Sequence, residues 1–335
     1  MPPSSEYQVL RCGAGLIDRT AERGRLRLSG ADRRNYLQGL LTNDIEALAP
    51  GTGCYTAYLT AQGRMIADLR VFELGDALLV DLERHLTAGV RDKWESFIFS
   101  EDVAVEDLTE VLSQLGVYGP RAAQALAGAL AAVGMAAPLT AAALEAMPLN
   151  ACDSPAVEGY RVVVLRSDAA GEMGFEVLVP VTAADVMAGH LERAGAVRVG
   201  TAAVEARRVE AGRPRFGVDM TEDTIPLEAG IEDRAISLTK GCYVGQEVII
   251  RVLHRGHGRV ARRLVGVSME GEAVPPPGAG IASGERAVGA VTSAVLSPEL
   301  GHAIALGYVH RDFTSPGTKL TVAGIPATVV SLPFV

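Results

Sequence analysis

Residues 55–82 read YTAYLTAQGRMIADLRVFELGDALLVDL, three apolar, aromatic and β-branched runs separated by Gln62-Gly63 and Gly75-Asp76. Runs of this length and composition, joined by turn residues, predict an antiparallel meander. On its N-terminal side, Arg25-Leu26-Arg27-Leu28 alternates like another strand. Ser29 and Asp32 are then placed to cap a helix whose apolar positions Tyr36, Leu37, Leu40 and Leu41 follow helical spacing. On the C-terminal side a helix is predicted around Leu86 to Phe97, and Pro120 opens another that Gly134 stops. Tyr160 to Arg166 and Phe175 to Val181 read as a hairpin across the turn-rich residues Ser167 to Gly174. Helices follow around Ala183 to Ala194 and Thr201 to Glu210, the second ending at Gly212. Beyond Arg263, short β-rich runs recur between glycines and prolines, the pattern of a small all-β barrel or sandwich. The chain is therefore expected to be α+β, with a body of residues 1–260 and a β module of residues 261–335.

Of the 335 residues, 48% are hydrophobic and 21% charged, which excludes a disordered chain. The start, MPPSSEYQVLRCGAG, has no charged segment followed by an apolar one, which argues against a secretory signal. The uncharged run Ala122 to Leu144 is broken by Gly128, Gly134 and Pro138, so two short helices fit it better than a membrane span. A soluble, cytoplasmic protein is expected. Cys12, Cys54, Cys152 and Cys242 lie far apart, which predicts neither a disulfide framework nor a zinc knuckle. The net charge of −9 weighs against nonspecific nucleic-acid or membrane binding. Locally, Lys240 to Arg263 holds six Lys or Arg against Glu247 alone, so an anionic ligand or acidic partner is expected there. His254 and His257 are three apart with no carboxylate or thiol near them, and no metal is expected.

The segment Lys240-Gly241-Cys242-Tyr243-Val244-Gly245-Gln246-Glu247 carries the sharpest chemistry. Glycines frame a thiol that follows a lysine and precedes a helix-like run, Val248 to Leu253. A cation and a helix N-terminus both stabilise a thiolate, which acts as nucleophile, redox centre or soft-metal ligand. The plain alternative is a small buried cysteine in a turn. A P-loop, a dinucleotide fingerprint, a G-x-S-x-G elbow and an H-E-x-x-H motif are all absent from the sequence.

The octet K-G-C-Y-V-G-Q-E is similar to the signature of the YgfZ family, a branch of the glycine-cleavage T-protein (aminomethyltransferase) superfamily. The superfamily's other blocks resemble Ser29 to Asp44, Gly119 to Ala123, Arg208 to Gly212, Pro226 to Gly230, and Val288 to Ser293 with Ser297-Pro298. The resemblance implies a three-lobed body around a central folate pocket, with two interleaved α+β lobes (the meander lobe about 50–115) and a C-terminal antiparallel β-barrel. It also implies tetrahydrofolate or a one-carbon derivative as cofactor. Gly63-Arg64-Met65-Ile66-Ala67-Asp68-Leu69 is similar to G-G-x-x-D-D-L, whose acidic pair works at the reacting folate nitrogen. Asp68 is kept, whereas Ala67 replaces the other acid and so weighs against aminomethyl transfer.

Glu172 and Glu176 stand in a block resembling T-G-E-x-G-F-E, where a carboxylate would accept the paired N–H donors of a pterin. Arg208 is the candidate partner of the ligand's carboxylate or of Glu172. Each position has a plain alternative: an exposed Asp68–Arg70 pair, a solvent-facing turn for Glu172, the polar face of a half-buried strand for Glu176, and the helix dipole for Arg208. The resemblance implies a tetrahydrofolate-binding accessory protein for iron–sulfur cluster assembly or repair, acting on iron–sulfur client proteins or their assembly machinery. Cys242 would be its functional thiol, tuned by Lys240. The alternative is a tetrahydrofolate-dependent aminomethyltransferase. A third reading, an RNA-linked folate module, rests on the basic run alone.

Overall fold

The computed structural model describes residues 5–134, 139–157, 159–255 and 259–335. The meander forms as the strands Gly53–Leu59, Met65–Glu73 and Leu78–Glu83. Arg23–Ser29 and then Ala104–Asp107 add to the last of them, completing a five-stranded sheet. The pleat sorts its residues by face. Tyr58 pairs with Ala67 and Thr56 with Leu69, while Tyr55 pairs with Arg70 and Ala57 with Asp68. The Ala67 and Leu69 side packs under the helices Arg33–Leu40 and Thr87–Glu95, with Trp94 fully buried between them. The opposite side carries Asp68. Asp32 does stand before the first of these helices, but its carboxylate accepts the N–H of Asp102 (2.8 Å) instead of capping it.

A six-stranded sheet forms the second lobe, in the order Val197–Arg198, Gly15–Asp18, Leu112–Tyr118, Gly174–Pro180, Val163–Ser167 and Cys152–Asp153. The N-terminal strand belongs to this lobe, so the chain leaves it at Asp18, builds the first sheet and returns at Leu112. The helices Ala122–Ala132 and Ala184–Arg193 cover one face through Leu126, Leu130, Met187 and Leu191. The hairpin here starts later than its composition predicts, because Tyr160–Arg161 instead pairs with Ala156–Val157. The run from Ala122 yields the helices Ala122–Ala132 and Ala141–Ala146, with residues 135–138 outside the described set. Among the described residues no helix is long and apolar enough to cross a membrane.

The C-terminal module is a closed barrel. Its strands run in the order Arg262–Met269, Ala303–His310, Arg286–Leu296, Gly280–Ser283, Lys319–Val322 and Ile325–Val330. Every pair is antiparallel, and closure leaves no free sheet edge. The mixed α+β fold with an antiparallel C-terminal barrel is thus as the sequence predicts.

Candidate functional site

A cavity of about 330 Å³ opens where the two sheets meet the helix Thr201–Glu210 and the segment that follows it. Small-molecule sites begin at about this size. Asp68 lines it from the first sheet, beside Tyr55 and Arg70 on the same face. Tyr55 donates its hydroxyl to Asp68 Oδ2 at 2.8 Å. Burial, and then the Asp68 charge, push the Tyr55 phenol well above its usual range, so it stays a donor. The guanidinium groups of Arg70 and Arg234 lie 5.6 and 5.0 Å from the centre of the Tyr55 ring, close enough for cation–π attraction.

Ala67, by contrast, is fully buried in the apolar core on the other side of the same strand. An acid at residue 67 would point into that core, away from the cavity. The sequence argument that Ala67 counts against transfer is therefore corrected: the acid this chain keeps is the one that faces the cavity.

Asp168, 4% exposed, lines the opposite wall. Arg213 reaches it at 2.7 Å, Arg234 at 3.4 Å and Arg70 at 3.6 Å. Burial alone would raise this carboxyl, but the Arg70, Arg234 and Arg213 charges outweigh it and hold the pKa below the usual carboxylate value. The cluster is not self-satisfied: Asp168 Oδ1, Arg70 Nε and Arg213 Nε are buried without a hydrogen-bond partner. Buried polar atoms of this kind call for an explanation, and a polar ligand entering the cavity is one. Sequence reasoning did not single out Tyr55, Asp168, Arg213 or Arg234, and passed Arg70 off as half of an exposed pair. Their one visible signal was the alternation that puts Tyr55, Asp68 and Arg70 on a common face.

The other predicted site residues are placed differently. Arg208 lines the cavity, yet all five of its donors are engaged: Glu205 takes Nε and one Nη2 proton (2.8 and 2.6 Å), Ser293 the other (2.7 Å), and Asp219 (2.7 Å) and the Arg213 carbonyl take those of Nη1. It clamps the helix to the barrel and has no donor left for a ligand. Glu172 lies outside this cavity, in a smaller surface pocket with Arg11 and Arg166, and is paired with Arg207 and not with Arg208. Glu176 is 3% exposed, not on a half-open face: it accepts from Arg19 (2.8 Å), Gln114 (3.2 Å) and Tyr118 beneath the cavity.

Residues 240–245 form a loop, and the helix Gln246–Ile250 begins four residues after Cys242. Cys242 is exposed and Tyr243 is buried. Lys240 Nζ donates to the carbonyls of Gln38 (2.6 Å), Leu41 (2.6 Å) and Asn43 (3.0 Å). The thiol that feels its charge is Cys54, which burial nevertheless pushes up to about 12. The expectations that Lys240 tunes Cys242 and that the thiol stands at a helix start are both corrected. Gly245 has φ +85°, and a Cβ there would meet the Thr60 carbonyl oxygen at 2.5 Å, so this glycine seats the loop on the Gln62-Gly63 turn. Within the basic run, Arg262 pairs with Glu228 (3.3 Å) and Arg263 with Glu232 (2.9 Å). The side chains of His254 and His257 lie outside the described residues. Among those that are described, no cluster of His, Cys, Asp or Glu could hold a metal ion.

Comparison with known proteins agrees with this architecture. The GCVT N-terminal domain profile matches residues 3–240, and the glycine cleavage T-protein C-terminal barrel domain profile matches residues 262–335. An aminomethyltransferase of Rubrobacter xylanophilus is 32% identical, over 98% of this chain and 85% of its own length. One from Desulforamulus reducens is 31% identical, over 98% and 89%. The crystal structure of glycine cleavage system aminomethyltransferase T from Bartonella henselae superposes with a TM-score of 0.86 at 25% identity, covering 98% of this chain and 88% of that one.

Proposed function

The chain belongs to the glycine cleavage T-protein family, and from that premise we propose that it transfers a one-carbon unit to or from tetrahydrofolate in the arginine-lined cavity, with Asp68 as the acid–base group. Aminomethyltransferases of this family bind tetrahydrofolate, whose amine nitrogens carry the one-carbon unit. The observation that carries the reading is Asp68 itself. It lines the cavity, its Oδ2 is oriented by Tyr55, and its Oδ1 has no protein donor among the described residues. A carboxylate held in this way can receive a proton from, and return it to, an amine placed against Oδ1. Asp168 offers a free acceptor atom, and Arg70 and Arg213 offer free donors, to a ligand that has both kinds of group.

The test is turnover with an aminomethylated lipoyl carrier and tetrahydrofolate. The wild type should form product, and Asp68→Asn should lower kcat by roughly 10²- to 10⁴-fold while melting as the wild type does. Equal rates in both would remove Asp68 from the chemistry.

A second reading keeps the finer resemblance: a YgfZ-type accessory protein that supports iron–sulfur clients through Cys242. What favours it is the exposed thiol on a loop whose neighbours Lys240 and Tyr243 are both buried. Such anchoring would hold the thiol outward for a partner. If this reading is right, Cys242→Ala abolishes iron–sulfur enzyme maintenance in cells yet leaves folate binding intact. No turnover in the carrier assay, together with that loss, would favour it over transfer.

A further inference from the structure

Glu172 belongs to a second pocket, apart from the central cavity, with a volume of about 290 Å³. Arg166, on the strand Val163–Ser167, lines it with its guanidinium 4.6 Å from the centre of the Phe175 ring. Among the described residues Arg166 makes no ion pair and its side chain donates no hydrogen bond, and its Nε is buried without a partner. Burial draws its pKa down, and the charge of Glu145 is what opposes the shift. Glu145 accepts Gln124 Nε2 at Oε1 (2.8 Å), and Glu172 accepts both Arg11 (3.5 Å) and Arg207 at Oε1. The Oε2 atom of each carboxylate therefore has no donor among the described residues. Of the charges in the pocket or paired to it, Arg11, Arg166 and Arg207 stand against Glu145, Glu172, Glu210 and Glu299, an excess of one negative charge. Such a pocket has no general pull on anions. What it leaves open is one guanidinium fork and two carboxylate oxygens.

We propose that this pocket binds a zwitterionic α-amino acid with a short apolar side chain, its carboxylate on Arg166 and its ammonium between Glu145 and Glu172. A guanidinium presents parallel N–H donors that match both oxygens of a carboxylate. An ammonium has three protons and no acceptor, which suits Oε2 atoms with open lone pairs. A ligand that carries both groups fills the open donors and acceptors together and adds no net charge. The Phe175 ring fixes the plane of the guanidinium before the ligand arrives, so less side-chain freedom is lost on binding. Pro120, Ala123 and Met173, itself 41% exposed, supply the apolar wall. The volume lies just below the range of sites for larger ligands, which limits the side chain to a few carbons. The site does not rest on the folate reading, because it shares no lining residue with the central cavity.

The test titrates the full-length protein with L-valine, with isovalerate, which lacks the ammonium, and with L-valinamide, which lacks the carboxylate. Wild type, Arg166→Gln and Glu145→Gln are compared by saturation-transfer NMR, with melting curves as the control for folding. The wild type should bind valine saturably, and each single-charge analogue roughly 10- to 100-fold more weakly. Arg166→Gln should weaken valine by a similar factor without weakening valinamide. Glu145→Gln should weaken valine about 10-fold without weakening isovalerate, since Glu172 still holds part of the ammonium. Glu145 is exposed, so its variant carries the test if Arg166→Gln fails to fold. Saturating tetrahydrofolate should leave valine binding as it is. The site is overturned by no saturable valine binding in the wild type, by either analogue binding as tightly as valine, by unchanged valine affinity in a folded variant, or by displacement of valine with tetrahydrofolate.

Discussion

Ala67 and Asp68 are neighbours on one strand and face opposite sides of its sheet, Ala67 into the apolar core and Asp68 into the cavity. Restoring an acid at residue 67 should therefore bring no catalytic gain. Ala67→Asp places a carboxylate among Tyr58, Leu69 and Val71 with no partner, and should destabilise the fold by roughly 3–5 kcal/mol. Urea denaturation checks the stability and the carrier assay the activity. A variant that is stable and faster would show that the strand presents residue 67 to the cavity.

Glu176 belongs to the floor of the cavity. Its carboxylate, 3% exposed, holds Arg19, Gln114 and Tyr118, and Gln114 also reaches Asp81 (3.3 Å), so the network ties the two sheets together. Glu176→Ala leaves the Arg19 guanidinium buried without its closest acid. The expected destabilisation is roughly 3–5 kcal/mol, with Glu176→Gln less affected because the hydrogen-bonding shape survives. Equal and small effects in both variants would mean that solvent reaches Arg19 freely.

What was legible in the sequence, and what was not, divides along the range of the interactions. Strand Met65–Glu73 and the barrel strands announce themselves because a pleat repeats every second residue and turns demand particular residue types. Asp68 was legible only through the resemblance of its block to G-G-x-x-D-D-L, since alternation by itself left it half of an exposed pair with Arg70. Glu172 and Arg208 were not, because their partners come from remote segments: Glu172 meets Arg207 across 35 positions, and Arg208 meets Ser293 across 85. Arg207 and Arg208 are adjacent cations near one helix end, and helical periodicity alone does not say which faces the barrel. Lys240 finds its carbonyls about two hundred residues earlier, so its nearness in sequence to Cys242 misled. Arg70 looked like half of an exposed pair because strand alternation identifies a face without saying whether water or protein covers it.

Gly245→Ala tests the seating of the signature loop. Its φ of +85° is strained for any residue with a Cβ, and that atom would meet the Thr60 carbonyl oxygen at 2.5 Å and Leu59 at 3.2 Å. Backbone strain of this kind is worth about 1–3 kcal/mol, and relief requires the loop to lift from the turn that leads into the Asp68 strand. A lower melting temperature together with weaker tetrahydrofolate binding is expected. Unchanged binding in a destabilised variant would confine the role of the loop to folding.

Lys240 gives the protein a pH dependence of defined sign. Burial draws its pKa down from 10.5 to about 8, with Asp44 opposing the shift. The folded chain therefore releases this proton near pH 8, whereas the unfolded chain keeps it up to about 10.5. Between those values the unfolded state binds more protons, so this group makes stability rise with pH; below the window both states are charged and its contribution is flat. The stability of the wild type relative to Lys240→Met should accordingly grow as the pH is raised through the window, as urea midpoints at successive pH values would record. The ammonium has three protons for three carbonyls, while the neutral amine has two, so one carbonyl loses its bond as the group titrates. Asn43, at 3.0 Å the longest of the three, is the expected one to go. Nitrogen-15 NMR of labelled lysine would follow the titration directly. A Nζ still charged at the top of the window, or a stability difference flat across it, would show that the three carbonyls hold the proton more tightly than burial expels it.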